Sequence, residues 1–466
     1  MAGVDGLPEY TQLLSRYVAD LTFDKLPAPV VEKAKGTLID YLGCALAGST
    51  WPRSKVALDL MTQLGGTEES TVFGTSRRTA VDRAAFLNGM FGSSAPQLDD
   101  VMSDSYGHPG VATHPAVLAV GERTGADGKE AIVAIVAGYE LAMRVGAAVG
   151  REAFERGWHP RGGCNVFGAA VAAGRLLGLD TSEGYCATLG LAGNKASGLI
   201  AAAFFHDAWY MLSGNAAQDG VVAALFAELG YDAGCTILED SFGGYCRIVS
   251  DHPNWDRLTR GLGHDFEIMN IGQKIHSSSG GTHAAIDAAL SIVLEHDIQP
   301  EDVERVTVWG SELTAKTMGR PFPENHINAT MSVPYLVAVA LADRQVSLPQ
   351  FTDQKLRDPR LAELQERTEV VLDAELDALA PKCIPARVEI VTGDGHAYSR
   401  EVRDAKGMPA DPLTSDELND KFRSLADGVL QQSAISETIE IVDSLERVSD
   451  LSDLTAVLRR VETGVD

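Results

Sequence analysis

Histidines, acids and a few cations gather in four places along a chain that is otherwise rich in small apolar residues. The first is Gln97–Val117, "QLDDVMSDSYGHPGVATHPAV", where Asp99, Asp100 and Asp104 share a glycine-bearing loop with Tyr106, His108 and His114. A carboxylate beside an imidazole orients the ring and fixes its tautomer, as a general base requires. The same residues would also serve as a capping loop with solvated acids. The second is Gly157–Leu179, "GWHPRGGCNVFGAAVAAGRLLGL", in which His159 is followed by Pro160, Arg161 and a glycine pair before an alanine-rich helix. A helix N-terminus favours anions and Arg161 adds a fork for a carboxylate, although a histidine in this setting is as readily a packing residue.

The third cluster is Gly272–Leu290, where Lys274 and His276 precede Ser277, Ser278, Ser279 and two glycines, opening into a helix at Thr282 or His283. Backbone N–H groups, hydroxyls and the helix dipole there suit a carboxylate. The stretch lacks the ending of a phosphate-binding P-loop, so it does not read as a nucleotide site; a hinge between domains is the plainer alternative. The fourth is "GRPFPENH", where Arg320 stands before two prolines. With the Ser277–Gly281 loop it is a candidate anion clamp. None of the 11 histidines falls in an HxxxH or HExxH pattern, so no metal site is expected. There is no GxGxxG behind a strand and no nucleophile elbow, and no cofactor is expected.

These clusters must be positioned by helices for most of the chain. Val31, Ala34, Leu38, Leu42 and Leu46 recur at helical spacing behind Pro29, and the same period predicts helices at 56–64, 79–91, 114–121, 128–149, 168–177, 182–191 and 216–229. After about Gly263 the texture changes. "VERVTVWG" (Val303–Gly310) alternates as a strand, and "ARVEIVTGDGHAYSREV" (Ala386–Val402) reads as a hairpin around Gly393, Asp394 and Gly395. Helices are expected between them at 282–296, 331–341 and 358–367, and again at 415–429, 435–445 and 450–458. The fold class is therefore mainly α with an inserted α+β domain: residues 1–263 plus 405–466 form a helical domain, and 264–404 the insertion.

At 466 residues, 45% of them hydrophobic, the chain is long enough for more than one core. A formal net charge of −26 argues against nucleic acid and against an anionic membrane surface. Six scattered cysteines, without a CxxC, read as reduced and mostly buried thiols of a cytoplasmic protein. The segment Met1–Tyr10 has no basic region leading into an apolar run, so no secretory leader is expected. The apolar stretch Ala131–Gly150 is broken by Glu140 and Arg144 and fits a buried helix better than a membrane span.

Taken in order, the motifs resemble the MmgE/PrpD family, which includes 2-methylcitrate dehydratase, cis-aconitate decarboxylase and iminodisuccinate epimerase. The resemblance runs from "VVEKAKGTLIDYLGCALAG" through "HPGVATHPAVLAVGE", "GYELAMRVG", "GNAAQDGVVAALFAELG", "KIHSSSGGTHAAIDA" and "RPFPENHINATMSVPYLVAVALAD" to "KGMPADPLTSDELNDKF". It implies a helical domain from both chain ends with an inserted α+β lid, a homodimer, and a small-molecule carboxylate as substrate without metal or organic cofactor. It implies His108, His159 and Lys274 as catalytic residues, with Asp100 orienting His108. Asp99, Arg161, Trp209, Ser278, Ser279, His283 and Arg320 would then contact substrate.

The departures are equally specific. Gln97 stands where relatives often have an acid, and Val101 where Thr or Ser is common. Ser279 replaces a cysteine or histidine, and Thr317 a tyrosine found in some members. In "AWYMLSG", Trp209 takes the position of an active-site lysine and Leu212 that of a histidine. The expected activity is a cofactor-independent lyase, of dehydratase or decarboxylase type, working by proton transfer next to a carboxylate. An epimerase sharing the first step, and a non-catalytic binding protein on the same scaffold, are the alternatives. Trp209 in place of a cation points to a substrate with fewer carboxylates, or a bulkier apolar arm, than citrate-like acids.

Overall fold

The computed structural model describes residues 9–95, 99–102, 104–380 and 382–460; Gln97 and the first eight positions lie outside the described residues. The chain divides into two compact units, with breaks after Ile271 and after Leu413. The first is built from both ends of the chain. Its helices are α1 (Tyr10–Asp20), α2 (Ala28–Ser49), α3 (Pro52–Leu64), α4 (Val81–Ser94), α5 (Gly110–Thr124), α6 (Gly128–Glu155), the one-turn α7 (Pro160–Gly163), α8 (Asn165–Leu176), α9 (Ser182–Gly193), the one-turn α10 (Ile200–Ala203) and α11 (Ala208–Glu228). Helices Ser415–Ala426 and Gln432–Asp443 return to the same unit. A small hairpin of β1 (Ser70–Thr71) and β2 (Arg78–Thr79) precedes α4, so the helix expected from Thr79 starts two residues later.

Helix α6 carries the core. Asp127 caps it by accepting the Glu130 N–H at 2.9 Å, and its residues are buried on every side from Ala131 to Val149, as befits a helix surrounded by others. It is long and apolar enough to cross a membrane, yet its flanks are covered within the protein. The two charges that interrupt its apolar run form a buried pair, Arg144 to Glu140 at 2.8 Å. Where α6 meets α8, Gly138 and Gly168 face each other so closely that a Cβ on Gly168 would collide with the Gly138 carbonyl. This is what the small residues of both helices are for.

The same buried pair explains why the first break falls at 271 and not at 263. Arg144 donates to the carbonyls of Arg260 (2.8 Å) and Asp265 (3.0 Å), and Glu140 accepts from the Glu267 N–H, which holds 264–271 in the helical unit. At the far end the Lys406 N–H donates to Asp287 (2.8 Å) and the Gln273 N–H to the Gly407 carbonyl (2.8 Å). Residues 405–413 therefore stay with the second unit.

The second unit contains a four-stranded sheet in the order β4-β3-β5-β6, from β3 (Val303–Gly310), β4 (Thr368–Leu372), β5 (Ala386–Thr392) and β6 (Ala397–Val402). β3 runs parallel to β4 and antiparallel to β5, and the helix His283–His296 packs against β5 and β6. The expected strand and hairpin both form, with Gly395 at φ 87° in the turn. β4 was not expected: its five residues follow the helix Pro359–Glu366 almost directly, with no turn signal between them.

The cysteines require a correction. Cys186 and Cys235 are joined in a disulfide with a Cα–Cα distance of 4.9 Å across 49 residues, whereas the sequence reading had all six reduced. A pair so far apart in sequence leaves no spacing pattern to read. Cys44, Cys164, Cys246 and Cys383 are outside any disulfide, the first three buried.

One ion pair closes the helical unit. Lys421, on the helix Ser415–Ala426, contacts Asp40 of α2 at 2.6 Å, and both side chains are withdrawn from water. Removing one partner of a buried pair strands the other. Lys421→Met is expected to destabilise the helical unit by about 3 kcal/mol or more, read as a lower denaturant midpoint, and Asp40→Asn with Lys421→Met to recover most of that loss. A single variant with unchanged stability would show the pair to be dispensable.

Candidate active site

His108 lies two residues before α5, because that helix starts at Gly110 rather than at the expected His114. Its Nδ1 lies 2.5 Å from the Asp100 carbonyl oxygen and 3.0 Å from Asp99 Oδ2. Both are acceptors, so Nδ1 carries the proton and Nε2 presents its lone pair. Asn165, at the start of α8, fixes the loop by donating to the His108 carbonyl at 2.6 Å.

The two aspartates have different partners. The Asp99 carboxylate lies against His108 and its Oδ2 also lies 2.8 Å from Arg161 Nη1, so Asp99 links two site residues. The Asp100 carboxylate is held by other partners. It accepts from Tyr139 Oη at 2.6 Å and from the Gly110 N–H at 3.1 Å, and a Cβ at Gly110 would fill that space. Burial, with Asp99 and Asp40 adding to it against the Tyr139 and Gly110 hydrogen bonds, raises the Asp100 carboxyl to about 7. Behind it His114 donates from Nε2 to Tyr139 Oη at 3.0 Å and is held neutral by burial, its pKa lowered to about 3.

His159 is the N-cap of α7, and its Nδ1 accepts the Arg161 N–H at 3.1 Å. Its proton therefore sits on Nε2, the opposite tautomer to His108. Burial, then the charges of Arg161 and His108, push it well below the usual histidine value, with Asp99 opposing. The ring stands edge-on to Trp209 at 4.8 Å and near Phe154 at 5.7 Å. The glycine pair after Arg161 does not cradle an anion: Gly162 packs on the Ser197 carbonyl and Gly163 on the Tyr245 hydroxyl. Arg161 itself is fully buried. Nη1 also reaches Ser213 Oγ of α11 at 3.2 Å, and its Cζ lies over the Trp209 ring at 5.0 Å.

Asp99, Asp100 and His108 form a group of metal-ligand types whose ligand atoms lie within 4.8 Å of one another. Two of its atoms are already engaged: Nδ1 of His108 is held as a donor by the Asp100 carbonyl, and Asp99 Oδ2 meets a guanidinium.

The remaining candidates belong to the second unit. Lys274 is fully buried there, on a segment pinned by the Ser277 N–H to Val346 (3.3 Å) and the Ser279 N–H to Thr330 (2.9 Å). His276 bonds Asp287 at 2.7 Å and its ring lies 5.2 Å from that of His283, which begins the helix after a short 3-10 turn. The hydroxyl of Ser278 accepts from Thr282 at 2.9 Å. The Arg320 side chain is exposed, and Met318 abuts the loop at Gly281.

The MmgE/PrpD N-terminal domain matches residues 12–258 and the MmgE/PrpD C-terminal domain residues 276–447. This chain belongs to the MmgE/PrpD family. Among curated relatives, the cis-aconitate decarboxylase-like protein oryM of Aspergillus oryzae is 31% identical over 98% of this chain and 99% of its own length. The cis-aconitate decarboxylases of Aspergillus terreus and Homo sapiens are 28% and 25% identical, each over 95% of its length and 96% and 97% of this chain. Within this MmgE/PrpD chain, Tyr139 and Ser213 escaped the sequence reading. Tyr139 stands in "GYELAMRVG", which carried the resemblance, but nothing in a tyrosine on an apolar helix announces a carboxyl partner.

Two outcomes follow from this geometry. A carboxyl whose folded pKa is raised favours the protonated fold, so stability falls as pH rises from about 4 to about 7. Relative to Asp100→Asn, the wild type should lose a few kcal/mol across that window, at about 1.4 kcal/mol per pKa unit; parallel stability curves would contradict a neutral Asp100. Dialysis against EDTA should leave turnover unchanged, and a loss restored by Zn²⁺ or Fe²⁺ would overturn the argument against a cation.

Proposed function

We propose that this protein is a lyase that removes CO2 from a small carboxylic acid, with His108 moving the proton and His159 acting as a neutral hydrogen-bond donor. That it is an enzyme of lyase type rests on its family and on the decarboxylase relatives. The observation that carries the division of roles is the opposite tautomers of the two histidines, each set by a partner at Nδ1. Loss of CO2 leaves the bonding pair on carbon, delocalised as an enolate toward a neighbouring carbonyl group, and the carbon must then be protonated. The Asp99 carboxylate favours the imidazolium of His108, so this ring can give a proton and recover it from water. His159, held neutral, cannot cycle in the same way but can hydrogen-bond developing negative charge through Nε2–H.

The test is reaction of candidate acids, beginning with cis-aconitate, in D2O. Release of CO2 with one deuterium placed on the product carbon is the expected result. Deuterium exchange without CO2 would make the enzyme an epimerase, and neither event with any acid would leave only a binding protein. His108→Gln should lower kcat by ~10²–10⁴-fold, whereas His159→Gln, which retains an N–H donor, should cost about tenfold or less; equal losses would remove the distinction between the two rings.

A further inference from the structure

Among the buried N–H donors of the helical unit that find no acceptor among the described residues, three belong to two neighbouring side chains: Nε and Nη2 of Arg161 and Nε1 of Trp209. Buried donors are ordinarily paired, so orphans gathered in one place mark a missing acceptor. These three are in one place, since the Arg161 guanidinium carbon lies 5.0 Å from the Trp209 ring. Nη1 of Arg161 is already engaged by Asp99 and Ser213. Nε and Nη2 share another edge of the planar group, the edge that grips a carboxylate through two parallel hydrogen bonds. A water accepts about two hydrogen bonds, fewer than the donors present, whereas the two oxygens of a carboxylate offer about four sites.

The surroundings restrict what that carboxylate can be attached to. Trp209 packs edge-on against Phe204 at 5.5 Å, Phe204 against Phe154 at 6.0 Å, and Phe154 is stacked on Tyr106 at 5.2 Å. Phe154, Phe204 and Tyr106 are only half-buried, so the wall beside the donors is aromatic and partly open. Tyr106, and Phe205 edge-on to Phe204 at 5.0 Å, both hold positive φ, 51° and 66°, a cost that bulky residues accept only where the surrounding structure imposes it. A second carboxylate placed here would face rings, while the positive charge of Arg161 is shared with Asp99.

We propose that Arg161 and Trp209 form a carboxylate receptor, and that with the aromatic wall they select an acid bearing an alkyl or aryl arm beside the bound carboxylate over a more highly charged tricarboxylate. This rests on the reading of the site as that of a carboxylate lyase, but it is tested by binding alone. The probes are two saturated acids that have no route to decarboxylation: phenylsuccinate, with two carboxylates and an aryl arm, and tricarballylate, with three carboxylates and none. Calorimetric titration of the wild-type protein should give the lower Kd for phenylsuccinate.

Arg161→Lys keeps the positive charge beside Asp99 while losing the planar fork, and should weaken phenylsuccinate by about 10- to 100-fold, as expected for one or two charge-assisted hydrogen bonds. Trp209→Phe keeps a ring and removes only the N–H, and should weaken it several-fold; thermal melts establish that each variant is folded. Tighter binding of tricarballylate, no binding of phenylsuccinate, or an unchanged Kd in both variants would overturn the proposal. A wild type that binds phenylsuccinate as expected yet decarboxylates nothing would instead remove the lyase reading and leave the receptor standing.

Discussion

Oδ2 of Asp99 lies 3.0 Å from Nδ1 of His108 and 2.8 Å from Nη1 of Arg161, at ion-pair distance from both, and the carboxylate is almost wholly withdrawn from water. A carboxylate so placed is tolerable only because cationic or polarised N–H groups meet it. In exchange it joins two stretches of chain that are otherwise independent, the loop before α5 and the single turn of α7. His108 obtains its tautomer from the neighbouring Asp100 carbonyl oxygen, 2.5 Å from the same nitrogen. Arg161 is turned by the Asp99 carboxylate so that one nitrogen is occupied and the opposite edge is not. His159 then obtains its own tautomer from the backbone of Arg161, so both rings and the cation are set by one oxygen and its immediate neighbours.

Adjacent in sequence, Asp99 and Asp100 illustrate how environment separates two identical side chains. Asp99 meets an imidazole and a guanidinium; Asp100 meets a phenol and a backbone amide. Burial raises the Asp100 carboxyl to about 7. Asp100 thus joins Tyr139 and His114 in a neutral hydrogen-bonded chain behind the reactive loop.

The elements and the reactive residue types were legible because period and composition determine them. The alternation in Val303–Gly310 and the glycines around Asp394 gave the strand and hairpin, and helical spacing gave the core of α2 and α6. His108, His159 and Arg161 were visible as polar residues in apolar surroundings. What sequence could not supply was direction. Which of two neighbouring aspartates turns toward His108 depends on the backbone of the intervening turn, where Tyr106 adopts φ 51°. Pro115 invited a helix start at His114, since proline is at home in a first turn, whereas α5 begins at Gly110 and carries Pro115 inside it. The strand β4 and the Cys186–Cys235 pair were missed for a related reason: each depends on a distant partner, and neither has a local signature.

The pairing of Lys421 with Asp40 has a consequence for the order in which the protein is made. Helix α2 is synthesised early, with an acid at position 40 and a glycine at 43 that both belong under a helix formed some 380 residues later. Until the ribosome has released that helix, the face of α2 that will meet it is open to water and to other chains, and Asp40 is better hydrated than buried. The second unit, contained between Gly272 and Leu413, has no such debt and can complete its sheet while the helical unit is still waiting. The domain that begins first therefore finishes last, and the nascent chain spends most of its synthesis with an unclosed apolar seam that a holding chaperone would have reason to cover.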